Sequence, residues 1–307
     1  MVVLDRNDQL LGATIAADGQ WRFDQSDSVP YRFKAAIIEF EDRHFEDHFG
    51  VHLPSMVRAM QQNIAEKRIV SGGSTISMQV VRLSRNNPSR SILEKITEII
   101  RALRLESTYS KEEILMMYAT YAPMGGNVVG LEAASWRYFG RDPHSLSWAE
   151  AATLAVLPNA PSLIFPGKNQ QRLIEKRNRL LKRLYDKNII DEVTYTLSIE
   201  ESVPGKPRPL PQLATHLLED IRRSADLKRV ITTIDFQTQE RAIEIVERYH
   251  REYEKNLVHN AAALIIEVET GSILSYVGNT KGTDPANGHF VDITNAPRSS
   301  GSILKPF

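Results

Sequence analysis

The chain has 307 residues, 38 Lys+Arg against 38 Asp+Glu, 42% hydrophobic residues and no cysteine. That composition folds as one large domain or two ordinary ones, and it excludes disulfides, zinc ribbons and thiol nucleophiles. Electroneutrality excludes an overall field for gripping nucleic acid, leaving any polyanion to a local basic cluster, and the longest apolar run, 261–266, is strand-sized rather than membrane-spanning.

Over 1–25, Val2-Val3-Leu4, Leu10-Leu11 and Trp21 to Phe23 alternate with Asn-Asp and Asp-Gly turn signals, which predicts a small β-hairpin and an accessory segment over 1–28. A 3.6-residue period then dominates, so 29–202 reads as a mostly helical domain. Ser110-x-x-Glu113 and Ser147-x-x-Glu150 are capping boxes that open helices at Lys111 and Trp148. Proline crowds 203–214, where neither helix nor central strand can continue, so this stretch reads as a stiff connector. Beyond it, 229–234 predicts a strand, 237–251 a helix, and 261–268 a strand turning at Thr270-Gly271 into 272–277: an α/β domain begins over 215–307.

A helix over 31–48 would carry Phe33, Ile37, Phe40, His44 and His48 in one stripe with Glu41 in its middle. A carboxylate on a burying face is costly unless it is paired or its pKa rises, and a raised pKa suits a general base. From the period alone, a structural ion pair with Arg43 or a later Arg or Lys is the preferred reading, and the motifs around it change the balance. His44, His48 and His52 recur every four residues, as zinc ligands can, but Gly50 interrupts the helix that would align them, so packing and hydrogen bonding are the simpler roles. The turn at 71–75 could cradle an anion at a helix N-terminus or simply cap the helix; it lacks the Gly-Lys-Ser/Thr of a nucleotide loop. On that helix Thr75, Gln79 and Arg82 share a polar face. Arg82, Arg85, Arg90, Lys95, Arg101 and Arg104 outnumber Glu94 and Glu98, a local excess that calls for an anionic partner. The helix through 92–104 should bury Ile92, Ile96, Ile99, Ile100 and Leu103, leaving Lys95, Glu98 and Arg101 opposite. Glu98 is then either a solvated partner of Lys95 and Arg101 or a second carboxylate facing a cleft.

Taken together, Glu41-Asp42-Arg43-His44-Phe45-x-x-His48-x-Gly50, Gly72-Gly73-Ser74-Thr75-Ile76-x-x-Gln79, Lys95-x-x-Glu98 and Lys111-x-x-Ile114-Leu115-x-x-Tyr118 resemble, in order, four motifs of the family 51 peptidoglycan glycosyltransferases. Arg177-Asn178-Arg179-Leu180-Leu181-x-Arg183 is a looser fifth. The continuation resembles the opening of a penicillin-binding transpeptidase domain, and Met78-Gln79, 122–127, 157–162 and 299–307 resemble the 1C branch of the bifunctional, class A penicillin-binding proteins.

The resemblance implies a mainly α fold, a lysozyme-like helical glycosyltransferase domain followed by an incomplete α/β penicillin-binding domain. It implies polymerisation of lipid II into β-1,4 glycan with inversion and release of undecaprenyl pyrophosphate, on the periplasmic face of a bacterial inner membrane. Glu41 matches the general base. Glu98 matches the second carboxylate, expected to hold a divalent cation (Mg or Mn) or to order the pyrophosphate side. Asp42, Arg43, Phe45, His48, Gly73, Ser74, Thr75, Gln79, Arg82, Lys95 and Ser162 match or approximate substrate-binding positions. The implied partners are lipid II and the nascent glycan strand, the membrane surface, moenomycin-type inhibitors and cell-wall synthesis proteins, with no nucleic acid. Glu94 before the motif lysine and Ala119-Thr120 after the tyrosine motif depart from the family pattern and imply a less cationic donor site.

Ser302-Ile303-Leu304-Lys305 matches Ser-x-x-Lys, with Ser302 as acyl-transfer nucleophile and Lys305 assisting its deprotonation. No Ser-x-Asn or Lys-Thr-Gly element follows, so transpeptidation is not expected of this chain, and a membrane anchor is expected to precede the hairpin in a parent protein. The rival readings are a lysozyme-like glycan hydrolase using Glu41 as its acid, and a catalytically weak scaffold that binds lipid II.

Overall fold

The computed structural model of the chain describes residues 1–23, 28–66, 72–85, 88, 91–224, 227–282 and 285–297. Ser302 and Lys305 lie outside these residues. In chain order the main elements are β1 (Val2–Leu4), β2 (Leu10–Ala13), β3 (Trp21–Arg22), α1 (Tyr31–Glu41), α2 (Leu53–Ala65), α3 (Ile76–Ser84), α4 (Ile92–Thr108), α5 (Lys111–Tyr121), β4 (Val128–Val129), α6 (Leu131–Ala134), α7 (Trp148–Val156), α8 (Gln170–Asp186), α9 (Glu192–Glu200), α10 (Thr215–Ser224), β5 (Arg229–Ile231), α11 (Phe236–Tyr253), β6 (Ala263–Ile266) and β7 (Ile273–Val277). They divide into two compact units, Ile15–Pro209 and Met1–Thr14 with Leu210–Phe307.

The unit Ile15–Pro209 is helical, as expected. Both capping boxes form: Ser110 accepts from Glu113 N while Ser110 N donates to Glu113 Oε2 at 2.8 Å, and Ser147 with Glu150 does the same at α7. From Ala149 to Val156, α7 is buried all round, as an apolar, alanine-rich helix must be, and α1 and α8 pack against it. Phe33 and Ile37 of α1 are fully buried, each stabilising by roughly 1.5–3 kcal/mol.

The first helix is shorter than the stripe through His48 predicts. It stops at Glu41 because Asp42 takes φ −155° and turns its carboxylate away to other partners. On α4 the expected faces hold only in part: Ile99 packs on the core and Arg101 is exposed, but Ile92 is 82% exposed and Ile100 61%, while Glu98 is 3% exposed. The side that turns inward carries Glu98 to Arg82 and Lys95, beside an apolar core of Met78, Val81 and Ala102.

In the other unit the opening hairpin is not an accessory. β1 pairs antiparallel with β2 and also parallel with β5, so it is the middle strand of a sheet ordered β2-β1-β5. Val2, Val3 and Leu4 are all buried, as an uninterrupted apolar run on a two-sided strand should be. β3 does not join that hairpin; it pairs parallel with β4 in the helical unit. Val3, Leu11, Leu218, Ile234 and Tyr276 share one core, and Gln239 of α11, fully buried, donates to Leu213 O and Tyr276 O and accepts from Tyr276 N.

The proline-rich stretch is tied down along its length. Gln170 Nε2 donates to Val203 O and Pro204 O, both at 2.9 Å, and Arg208 N donates to Arg137 O. Further on, Leu213 N donates to Leu11 O.

Candidate active site

Glu41 is the last residue of α1, which delivers its carboxylate to the edge of a groove of about 590 Å³. Gln79 Nε2 of α3 donates to Glu41 Oε2 at 2.8 Å, while Oε1 is buried without a hydrogen-bond partner among the described residues. Burial raises the Glu41 pKa above its ordinary 4.5, and neighbouring Asp42 adds to the rise; the Gln79 hydrogen bond, Lys176 and Arg82 act the other way. The negative end of the α1 dipole further disfavours the anion. The ion pair with Arg43 weighed above does not form: Arg43 pairs with Glu39 at 2.9 Å.

The next residue sets the geometry. Asp42 Oδ2 accepts from His48 Nε2 at 2.9 Å and from Ile76 N at 3.0 Å, so one buried carboxylate locks the end of α1 to the start of α3. Thr75 completes the joint by accepting from Met78 N and donating to Gly50 O at 2.6 Å. Gly73 must be glycine here, since a Cβ would lie 2.8 Å from Met56 Cα. The 72–75 turn is therefore a helix cap as well as a groove wall.

Beside that wall, Arg82 reaches Glu98 twice, Nε to Oε1 at 2.5 Å and Nη2 to Oε2 at 3.1 Å, and Lys95 Nζ reaches Oε2 at 3.1 Å and Ser74 Oγ at 2.6 Å. Burial alone would raise the Glu98 pKa, but the Arg82 and Lys95 contacts outweigh it and hold the carboxyl ionised. Glu94, the departure from the family pattern, pairs with Arg85.

The groove thus gathers Glu41, Arg43, Gly73, Ser74, Gln79 and Arg82 from the expected set, with Asp42 and Thr75 also on its wall. Lys95 and Glu98 join through Ser74 and Arg82. Three expected substrate contacts fall elsewhere. Phe45 is fully buried beneath the Lys111 ammonium, 4.6 Å from its ring. His48 spends its Nε2 on Asp42. Ser162 is exposed on a loop, where its carbonyl accepts from Lys168. Arg177 of the fifth motif is buried and bonds Glu201 O and Ile199 O at the end of α9.

The donor set does not suit a metal at Glu98. Both of its oxygens are taken by cationic side chains, and among the described residues no three His, Cys, Asp or Glu side chains converge as ligands. Nor do the recurrent histidines form a zinc site: the His44 and His52 rings are stacked, 4.3 Å apart and 22° from parallel, which aims their lone pairs side by side instead of at one point.

Sequence reasoning missed Lys176 and Asn159. Lys176 Nζ donates to Asn159 Oδ1 at 2.7 Å, Asn159 lines the groove, and Lys176 is the strongest charge acting on Glu41. One residue before the arginine counted as a motif, it reaches Asn159 on the groove wall while Arg177 turns to α9.

A family model described as Transglycosylase matches residues 8–185. Penicillin-binding protein 1C of Escherichia coli (strain K12) is 36% identical over 292 residues, covering 95% of this chain and 38% of its own length. Penicillin-binding protein 1A of Pseudomonas aeruginosa is 38% identical over 175 residues, covering 57% of this chain and 21% of its own. The crystal structure of penicillin-binding protein 1A from Haemophilus influenzae aligns with a TM-score of 0.37 at 18% identity, over 88% of this chain and 32% of that one. The chain spans well under half the length of these relatives.

Proposed function

The chain belongs to the transglycosylase family, and on that premise we propose that its helical unit is a peptidoglycan glycosyltransferase, joining the sugar of lipid II to a growing strand and releasing undecaprenyl pyrophosphate. One observation carries the reading: a desolvated carboxylate with a raised pKa, Glu41, shares a groove with Arg82, which belongs to a cluster of fixed cations.

Glu41 removes the proton from the acceptor's 4-hydroxyl as that oxygen bonds to the donor's anomeric carbon. The bond from that carbon to the pyrophosphate oxygen breaks, the electron pair leaves with the diphosphate, and attack from the opposite face inverts the centre. Arg82 and Lys95 receive the developing charge; such preorganised charge is the largest single contribution expected. Glu98, held between them, keeps both cations in place and is not read as a metal ligand, so no step passes through a divalent cation. A hydrolase acting on a neutral glycan would have no use for this cluster.

A lipid carrier explains an otherwise costly surface. α2 exposes Leu53, Val57, Met60 and Ile64 around an apolar trough of about 570 Å³, and α4 exposes Ile92, Leu93, Ile96 and Ile100. Gly73 lines both trough and groove, and Lys95 lines the trough, so a diphosphate near Lys95 would leave its prenyl chain on apolar surface. This face is read as the membrane-surface contact, on the periplasmic side of an inner membrane. Among the described residues no helix is long and apolar enough to cross a membrane. Moenomycin-type inhibitors would enter by the same groove, and other cell-wall synthesis proteins remain proposed partners.

The test is polymerisation of fluorescent lipid II in vesicles by the parent chain and by Glu41→Gln, with products resolved on gels before and after muramidase digestion. The parent is expected to make digestible glycan and the variant none, with both folded. Unchanged polymer from the variant rules out Glu41 as base.

A further inference from the structure

The base has two carboxylate oxygens, and the structure accounts for one of them. Gln79 holds Oε2. Among the described residues Oε1 is buried without a partner, and so is the phenolic oxygen of Tyr118 on α5, whose side chain is fully enclosed. A buried polar atom with no partner costs roughly 1–3 kcal/mol, so two of them near one reactive group call for an explanation. The two share one electrostatic environment, for the Glu41 charge is felt at the Tyr118 phenol.

We propose that Tyr118 is a positioning residue for the general base, donating its phenolic hydrogen to Glu41 Oε1 through one bridging water, so that with Gln79 it cradles the carboxylate from both sides. The inference rests on Glu41 being the base. Burial and the Glu41 charge push the Tyr118 pKa well above its ordinary 10, so the phenol keeps its proton throughout the reaction and acts only as a donor. Each carboxylate oxygen has two lone pairs, so Oε2 can accept from Gln79 and still take the acceptor sugar's proton. The charged groups acting on Glu41 are Lys176 from α8, Asp42 beside it and Arg82 from α3; none of them supplies the missing donor on Oε1.

The experiment is the pH profile of kcat/KM for lipid II polymerisation by the parent chain, Tyr118→Phe and Glu41→Gln, with a thermal melt of each. Phenylalanine fills the same volume without the hydroxyl. A base works only when ionised, and losing a donor to the anion raises its pKa. The acid limb should therefore move up by about one pH unit, a loss of roughly tenfold on that limb, while KM and the rate on the alkaline plateau stay near the parent values. If the hydroxyl is merely an unpaired buried group, its removal leaves the profile superimposed on the parent's and the melting temperature equal or higher; that result overturns the proposal. Polymerisation surviving in Glu41→Gln would instead remove the reading beneath it.

Discussion

Replacing Arg82 with methionine separates what the arginine does for the fold from what it does for the chemistry. Methionine keeps much of the apolar stem and deletes both arms of the fork, Nε to Oε1 at 2.5 Å and Nη2 to Oε2 at 3.1 Å, leaving Glu98 at 3% exposure with the Lys95 contact. Hydrogen bonds to a charged group contribute roughly 1.5–3 kcal/mol each. Because Lys95 keeps its own contact, the expected loss lies at the lower end of the range for a broken buried pair, about 3 kcal/mol, or roughly two powers of ten in the folding equilibrium. In the reaction the loss of one preorganised charge should lower kcat by roughly a hundredfold or more. Urea unfolding reads the first quantity and lipid II polymerisation under native conditions the second. Adding Glu98→Leu removes the stranded carboxylate, so stability should return to within ~1 kcal/mol of the parent while the rate stays low. A single variant costing under ~0.5 kcal/mol would show that the ion pair does not hold in solution; a double variant polymerising at the parental rate would refute Arg82 as a receiver of diphosphate charge.

Glu41→Gln should abolish polymerisation and stabilise the fold at neutral pH, because a carboxyl whose folded pKa is raised by burial penalises folding once it must ionise. Stability linked to the protonated carboxyl is fully present below the ordinary value near 4.5 and lost as pH rises through the higher folded value, so the advantage of the variant should vanish in acid; melting curves across pH check this. Lys176→Met should move the acid limb of the rate profile upward, since Lys176 favours the Glu41 anion, and Lys176→Arg should restore it. Arg177→Met should leave Glu201 O and Ile199 O without their donor and cost about 2–4 kcal/mol by urea unfolding, with kcat per folded molecule unchanged; a kcat effect at full folding would place Arg177 in the groove after all.

What could be read without coordinates was whatever depends on neighbours in the chain. Ser110 with Glu113 and Ser147 with Glu150 lie three residues apart, so the helix starts they dictate are local facts. Glu41 could be singled out because a charge in an apolar stripe is a local anomaly. The inward turn of α4 could not, since isoleucines at helical spacing mark an apolar face without saying whether protein or lipid covers it, and the cations that draw Glu98 inside lie on α3 and α4 together. The end of α1 was hidden for a similar reason. Asp42 leaves the helix to serve His48 six residues on and Ile76 34 residues on, and no periodicity carries that demand. Lys176 was passed over because the arginine beside it matched a pattern better.

The placement of β1 bears on how the polypeptide matures. Its neighbour β5 begins 227 residues later, pairing Val2 with Arg229, and the whole helical unit is encoded between the two. During synthesis β1 must wait through the 227 residues that separate Val2 from Arg229, exposing an apolar edge in the meantime, while the helical unit encoded between them closes its contacts within itself and is free to settle first. Deleting the leading dozen residues of this sequence would take the middle out of a three-stranded sheet, and the damage would register in the unit to which β5 belongs.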